Sequence, residues 1–434
     1  MSNLVIGFTG LGIGLLLMVF RVQIGVALGL ISFFGIAAIL NMKAAWGIVT
    51  AVPYSFVGDW NLSAVPMFLL MGYVASSAGL TAGLFRFMRL LLSRLPGGLG
   101  VASVGACALF AAASGSSVAT SSAMARIATP EMLKYKYEPG LASGVIAASG
   151  TLGSLIPPSI LLVLYGYFAE VSIAKLFVAG FLPGILSAAL YMGMIVARAS
   201  SNPELAPPLK EHPHMREIFE ALREVWPLPV LIGGVLAGIF IGVFTPTEAG
   251  AVGAFLAFLI AALRGSLSMA VAQEAMMRTL SGTAGIFIVV IGTVLLTRFV
   301  ALAGVPTYLA ELMLSISHNP LIIILVIAGM YVLLGMFVDS IGLLLLTLPI
   351  ILPVVNEAGM DLIWFGIIVI KLLEIGLVTP PVGLNVYVIK GALGNLVSLQ
   401  AIFRGIWWFI LMDIAAFALI VAFPQISLFL PSLM

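Results

Sequence analysis

The chain has 434 residues, 62% of them hydrophobic and 8% charged, and its 19 Lys and Arg against 17 Asp and Glu leave a formal net charge of +2. Soluble domains carry about 25% charged residues, so the composition excludes a soluble globular protein and predicts an all-α integral membrane protein. The single cysteine, Cys107, excludes an intramolecular disulfide and zinc sites built on several cysteines, and no basic patch points to nucleic acid.

A spanning helix needs about 20 mostly apolar residues. The first such stretch, 4–20, has no basic segment ahead of it and reads as a retained span, not a cleaved signal. Spans at 22–41 and 63–79 follow. The amphipathic segments 43–61 and 84–95, the latter with Arg86, Arg89 and Arg94, read as interfacial helices. The stretch 97–135 is interrupted at ASGSSVATSS and predicts a re-entrant hairpin. The stretch 139–168 is broken at GSLIPPSILL, where two prolines remove two backbone donors. A span at 173–197 completes this set. After a polar segment come 226–243, 245–263, an interfacial 266–280, 281–303, an interrupted 319–356, a stretch 361–393 broken at GLVTPPVGLN, and 398–423.

The second set repeats the first. Pro157 and Pro158 align with Pro380 and Pro381 at an offset of 223, as Pro130 does with Pro353; Pro96 and Pro320 are 224 apart. Gly25 and Gly250, and Gly79 and Gly304, are 225 apart. A constant register across five landmarks predicts two copies of one unit, 1–200 and 224–434, joined by a cytoplasmic linker, 201–223. If each hairpin crosses nothing, each copy crosses five times and the second is inverted. With the N-terminus outside, Arg21, Arg86, Arg89, Arg94, Lys134, Lys136, Arg198, Lys210, Arg216, Arg223, Arg264, Arg278, Lys390 and Arg404 fall inside. Lys43 and Lys175 stay outside, so the positive-inside rule supports this topology, with both termini outside.

The prolines carry the functional signal. A broken helix frees carbonyls on its first half and N–H groups on its second, which at membrane depth is tolerated only inside protein or along a cavity. Carbonyl ends suit a cation and N-terminal ends an anion. Gly150, Thr151, Gly153, Ser154 and Ser159 flank the first break; Gly376, Thr379, Gly383 and Asn385 flank the second. Hydroxyls and carbonyls are hard ligands that fit Na+. The alternative is a pair of structural kinks. The first hairpin tip offers Ser114, Gly115, Ser116, Ser117, Thr120 and Ser121, and the second, Gly335 to Gly342, places Asp339 and Ser340 at the matching position, 223 after Ser116. Asp339 reads as a cation ligand, a helix N-cap, or both. Arg298 could meet an anionic substrate or snorkel to the outer interface. Lys371 and Glu374, three apart on one helix, read as a structural pair. Glu248 after Thr245–Pro246 suits a helix start, and Asp59 the interface.

Enzyme chemistry has little support. His212, His214 and His318 fall in connecting segments, and neither HExxH nor GxxxxGK[ST] occurs.

The run from GSSVATSSAMARIATPEM through GTLGSLIPPSILLVLYGY to FVAGFLPG resembles the large permease subunit of TRAP (tripartite ATP-independent periplasmic) transporters, as do AVPMFLLMGYVASSAGL, FTPTEAGAVGA and GLVTPPVGLNVYVIKG. The resemblance covers nearly the whole chain. It implies a bacterial inner-membrane secondary transporter, which makes the outer side of the topology above, and with it the N- and C-termini, periplasmic. Such a protein has a scaffold domain and an elevator-type transport domain holding both hairpins and both broken helices. Na+ is the implied coupling ion, with no other cofactor. The implied partners are a small four-helix membrane subunit and a periplasmic substrate-binding protein, and the cargo is an organic acid such as a dicarboxylate or sialic acid. One Na+ site would use Ser114, Gly115, Thr120, Gly150, Thr151 and Pro157; its mate would use Gly335, Asp339, Ser340, Gly376, Thr379 and Pro380. Substrate would meet Ser116, Ser117 and Asn385, with Arg298 a further candidate. The alternative is a stand-alone Na+/divalent-anion symporter of the related superfamily.

Overall fold

The computed structural model describes residues 2–20, 22–81, 83–208, 214–316 and 319–434. Arg21, Lys210, His212 and His318, which entered the charge and enzyme arguments, lie outside the described residues. Within them every regular element is helical. The first half runs α1 (Asn3–Val19), α2 (Ile24–Ile39), α3 (Met42–Val57), a short 3-10 turn at Trp60–Ser63, α4 (Ala64–Ser77), α5 (Leu84–Leu92), α6 (Gly98–Ser114), α7 (Ser117–Lys134), α8 (Pro139–Leu155), α9 (Ile160–Phe168) and α10 (Ile173–Ser201). The second runs α11 (Met215–Val225), α12 (Pro227–Phe240), α13 (Pro246–Leu263), α14 (Met269–Ala303), α15 (Val305–Ile316), α16 (Pro320–Gly335), α17 (Ser340–Glu357), α18 (Leu362–Val378), α19 (Leu384–Leu393), α20 (Leu399–Ala422) and α21 (Gln425–Leu428).

From α12 to α20 the order repeats that of α1 to α10, with α14 standing for α3 and α4 together. Polar caps recur at the matching starts. Asn41 and Ser268, Ser116 and Asp339, Glu138 and Asp361, and Ser172 and Ser398 each accept a backbone N–H of the helix that follows. Each cap satisfies an otherwise orphaned donor and contributes about 1 kcal/mol. At the start of α13, Thr245 and Glu248 form a reciprocal capping box.

Among the described residues five helices, α10, α13, α14, α17 and α20, are long and apolar enough to cross a membrane alone. The pairs α8–α9 and α11–α12, bent by 41° and 53°, are long enough together. Two segments differ from expectation. The stretch 266–280 is not a separate interfacial helix, because α14 runs unbroken for 35 residues. Its counterpart breaks after α3, where Asp59 takes the Asn61 N–H at 2.9 Å; α14 contains no proline, Asp or Asn to divert its backbone in this way. The polar linker runs into a helix, α11, whose Glu224 pairs with Arg86 of α5 at 2.8 Å.

The broken helices form the interior. Every residue of α8 from Gly140 to Leu155 is buried, and every residue of α18 from Phe365 to Val378. Around them α8 packs against α6, α7 and α20, and α18 against α16 and α20. A separate layer is built where α14 lies along α2 and α4 and α13 lies on α4.

Candidate functional site

The first tip is a turn of two residues. Gly115 ends α6 with φ +59°, a conformation that disfavours any side chain, and Ser116 caps α7 through the Ala119 N–H at 3.4 Å. The tip docks on α8 through missing side chains. A Cβ on Gly153 would come within 2.8 Å of the Ser116 carbonyl, and one on Gly150 within 1.9 Å of Ser121 Oγ. Ser114 and Thr120 hydroxyls pair at 2.8 Å, and Thr120 donates to the Ser116 carbonyl at 2.9 Å. Ser117 bonds the Ser154 hydroxyl and reaches the Thr151 carbonyl at 3.5 Å. Thus Ser114, Gly115, Ser116, Ser117, Thr120, Gly150 and Thr151 are brought together, and Ile160 N–H of the first break donates to the Gly115 carbonyl at 3.5 Å.

The second tip repeats the design with a carboxylate. Asp339 Oδ1 accepts from the Ile341 and Gly342 N–H groups at 3.1 and 3.0 Å. Beside it the buried Ser340 hydroxyl has no hydrogen-bond partner among the described residues. Gly335 and Gly376 meet backbone to backbone, a Cβ on Gly376 falling 2.8 Å from Gly335 Cα. Thr379 turns its hydroxyl back onto the Ile375 carbonyl at 2.5 Å. In both breaks the Pro–Pro peptide is cis.

The halves interlock: α19 packs on α7, and α9 on α17. Between them lies a cavity of about 100 Å³, lined by Gly115, Ser116, Ser117 and Ser154 from one half and by Asp339 and Ser340 from the other. Asp339 is therefore both cap and cavity wall. A second cavity of about 510 Å³ abuts the first tip at Ser116 and Val118 and runs between α4, α6, α7 and α14, with Arg126 and Arg278 in its wall.

Other predicted residues lie elsewhere. Thr379 and Pro380 do not line the tip cavity. Asn385 is fully buried, its amide nitrogen 3.5 Å from the Ala147 carbonyl and its Oδ1 without a partner among the described residues. Pro157 faces an apolar groove with Phe177 and Phe181, so only its carbonyl could serve a cation. Arg298 lines a cavity of about 750 Å³ with Asp59, Glu170 and Thr245, apart from both tips.

Lys371 and Glu374 do pair, at 3.1 Å, but within a larger cluster. Lys371 Nζ also lies 2.5 Å from Asp413 Oδ1 and 3.1 Å from Ser187, and Tyr191 donates to Asp413. Lys371, Glu374 and Asp413 are all fully buried. Asp413 was missed by sequence reasoning, although a charge inside the apolar run LMDIAAF is itself a signal.

A family model described as "Tripartite ATP-independent periplasmic transporter, DctM component" matches residues 11–426. The sialic acid TRAP transporter large permease protein SiaM of Vibrio cholerae is 34% identical over 415 residues, covering 94% of this chain and 95% of the relative. The C4-dicarboxylate TRAP transporter large permease protein DctM of Pseudomonas aeruginosa is 34% identical over 379 residues, 86% of each chain. Among solved structures, the Alcanivorax borkumensis YdaH transporter matches with a TM-score of 0.61 at 15% identity, over 89% of this chain and 90% of the other. That likeness is one of fold.

Proposed function

The chain belongs to the DctM-component family of tripartite ATP-independent periplasmic transporters, a membrane permease and not an enzyme, and on that premise we propose that it uses a Na+ gradient to import an organic acid. The observation that carries this reading is the meeting of both hairpin tips around one small polar cavity, walled also by residues that flank the two helix breaks, Ser154 and Ile160 at the first and Leu377 and Leu384 at the second. Its polar lining is hydroxyl and carboxylate oxygen, the hard ligands that suit Na+. Among the described residues no group of three His, Cys, Asp or Glu side chains gathers to hold a metal. The unpartnered Ser340 hydroxyl beside Asp339 offers a further ligand. Cation binding here would draw the two tips together, because they sit on opposite walls.

The chain acts as two inverted repeats, 1–200 and 224–434, in the inner membrane of a bacterium, with both termini periplasmic. The layer of α2, α4, α13 and α14 serves as scaffold, and the hairpins with α8–α9 and α18–α19 move against it as an elevator. A small four-helix membrane subunit and a periplasmic binding protein complete the system. The relatives' named cargoes, sialic acid and C4-dicarboxylates, support a carboxylate substrate.

Co-reconstitution of the three components into vesicles with an imposed Na+ gradient tests the reading. Asp339→Asn keeps a cap acceptor but removes the charge, whereas Asp339→Ala removes both. Both variants should need at least about tenfold more Na+ for half-maximal uptake, a loss of about 1.4 kcal/mol, and only Asp339→Ala should also lose about 1 kcal/mol of stability. Wild-type uptake that ignores the Na+ gradient, or an unaltered Na+ requirement in Asp339→Asn, refutes the proposal.

A further inference from the structure

The tip cavity, at about 100 Å³, is too small for the cargo; small-molecule sites usually measure about 300–1,000 Å³. The adjoining cavity, at about 510 Å³, is in range. Its charge is one-sided: Arg126 of α7 and Arg278 of α14 line it, and among the described residues no Asp, Glu, Lys or His does. The two guanidiniums are not equivalent. Arg278 pairs with Glu274 of its own helix at 2.7 Å, while among the described residues Arg126 makes no ion pair or hydrogen bond. The remaining polar groups include the hydroxyls of Tyr73, Ser76, Ser116 and Ser122. A cavity with one uncompensated fork of donors and a wall of neutral hydroxyls matches a ligand with one carboxylate and a hydroxylated body. A dicarboxylate would leave its second charge facing hydroxyls and an arginine already paired.

We propose that this cavity is the cargo site, that Arg126 binds the substrate carboxylate, and that the substrate is a polyhydroxylated monocarboxylic acid, a sugar acid. This rests on the permease reading above and names its cargo class. On the proposed orientation the cavity opens toward the cytoplasm, so it is the site from which cargo is released. Because Arg126 rides on the first hairpin and Arg278 on α14, the ligand sits between the part proposed to move and the part proposed to stay.

Calorimetric titration of the purified protein in detergent with saturating Na+, using sialic acid and succinate as probes, tests this. Wild type should bind sialic acid more tightly than succinate. Arg126→Gln should weaken sialic acid binding by roughly 10- to 100-fold, the range for a lost hydrogen bond to a charged group. Arg126→Lys keeps the charge without the fork and should fall between the two. Arg126 is exposed and unpaired, so both variants should melt with wild type. Succinate binding equal to or tighter than sialic acid, binding of neither probe, or wild-type affinity in Arg126→Gln overturns the proposal. Sialic acid binding that is lost in Arg126→Gln yet indifferent to Na+ would instead sink the Na+ reading and leave this one standing.

Discussion

Lys371 is the buried charge whose removal should cost most, and the magnitude follows from its two partners. Its Nζ lies 3.1 Å from Glu374 and 2.5 Å from Asp413. At an effective dielectric of about 20 these contacts attract by about 5 and 7 kcal/mol before desolvation. The two carboxylate oxygens touch the same nitrogen, so they lie no more than 5.6 Å apart and repel each other by about 3 kcal/mol or more. Lys371→Met therefore removes all the attraction and leaves the repulsion. Breaking a buried pair in this way costs about 3–5 kcal/mol. Glu374→Gln loses the weaker attraction but also the repulsion and one ion's desolvation penalty, and should lie within about 1 kcal/mol of wild type. Asp413→Asn should fall between, because it gives up the shorter contact while Tyr191 keeps an acceptor. Cys107 is the only cysteine and is fully buried, so its labelling by a thiol-reactive dye during heating reports unfolding in detergent. The order of stability should be wild type close to Glu374→Gln, then Asp413→Asn, then Lys371→Met. Glu374→Gln melting as low as Lys371→Met would refute the reasoning, since it would mean that the second carboxylate is not in excess.

Two further outcomes follow from packing and capping. Gly150→Ala places a Cβ 1.9 Å from Ser121 Oγ and 3.0 Å from its Cβ, and should cost about 1–3 kcal/mol; Ser121→Gly in the same chain should recover most of it, whereas Gly329→Ala, with nothing within 4 Å, should be silent in the same melt. Thr245→Ala removes one arm of the capping box on α13 and should lower stability by about 1 kcal/mol, with Thr245→Ser restoring it; an unchanged melting temperature in Thr245→Ala would remove the box as a contributor.

The helices, the hairpin turns and the breaks were legible in the sequence because each rests on a local signal: apolar runs, Gly115 at a tight turn, paired prolines, and caps 223 residues apart at Ser116 and Asp339. What a residue faces was not legible, because that depends on which helix packs against its own. Asn385 flanks a break but points to the Ala147 carbonyl, and Arg298 lines a different cavity, although both carry the right chemistry. Arg126 and Arg278 meet one cavity from helices far apart in sequence, and no spacing rule joins them. The continuity of α14 was missed for another reason. Composition marked 266–280 as polar enough for an interface, but polarity on one face does not end a helix; side chains that compete for its backbone groups, as Asp59 does after α3, do.

The two cavities share a wall, and that bears on how an ion could drive a cargo. Ser116, the cap of α7, and Val118, in its first turn, line both. That turn is held from behind by α8, where Gly153 lets the Ser116 carbonyl lie against the helix. On the proposed reading, a cation bound between Asp339 and the Ser116–Ser117 segment fixes the turn that also bounds the cargo. The coupling then acts through one helical turn, with no chain of intermediates across the protein. It is also reciprocal, since the factor by which Na+ tightens cargo binding must equal the factor by which cargo tightens Na+ binding. A glycine at 153 is what permits this arrangement, because any side chain there would lift the shared turn from its support and loosen both sites together.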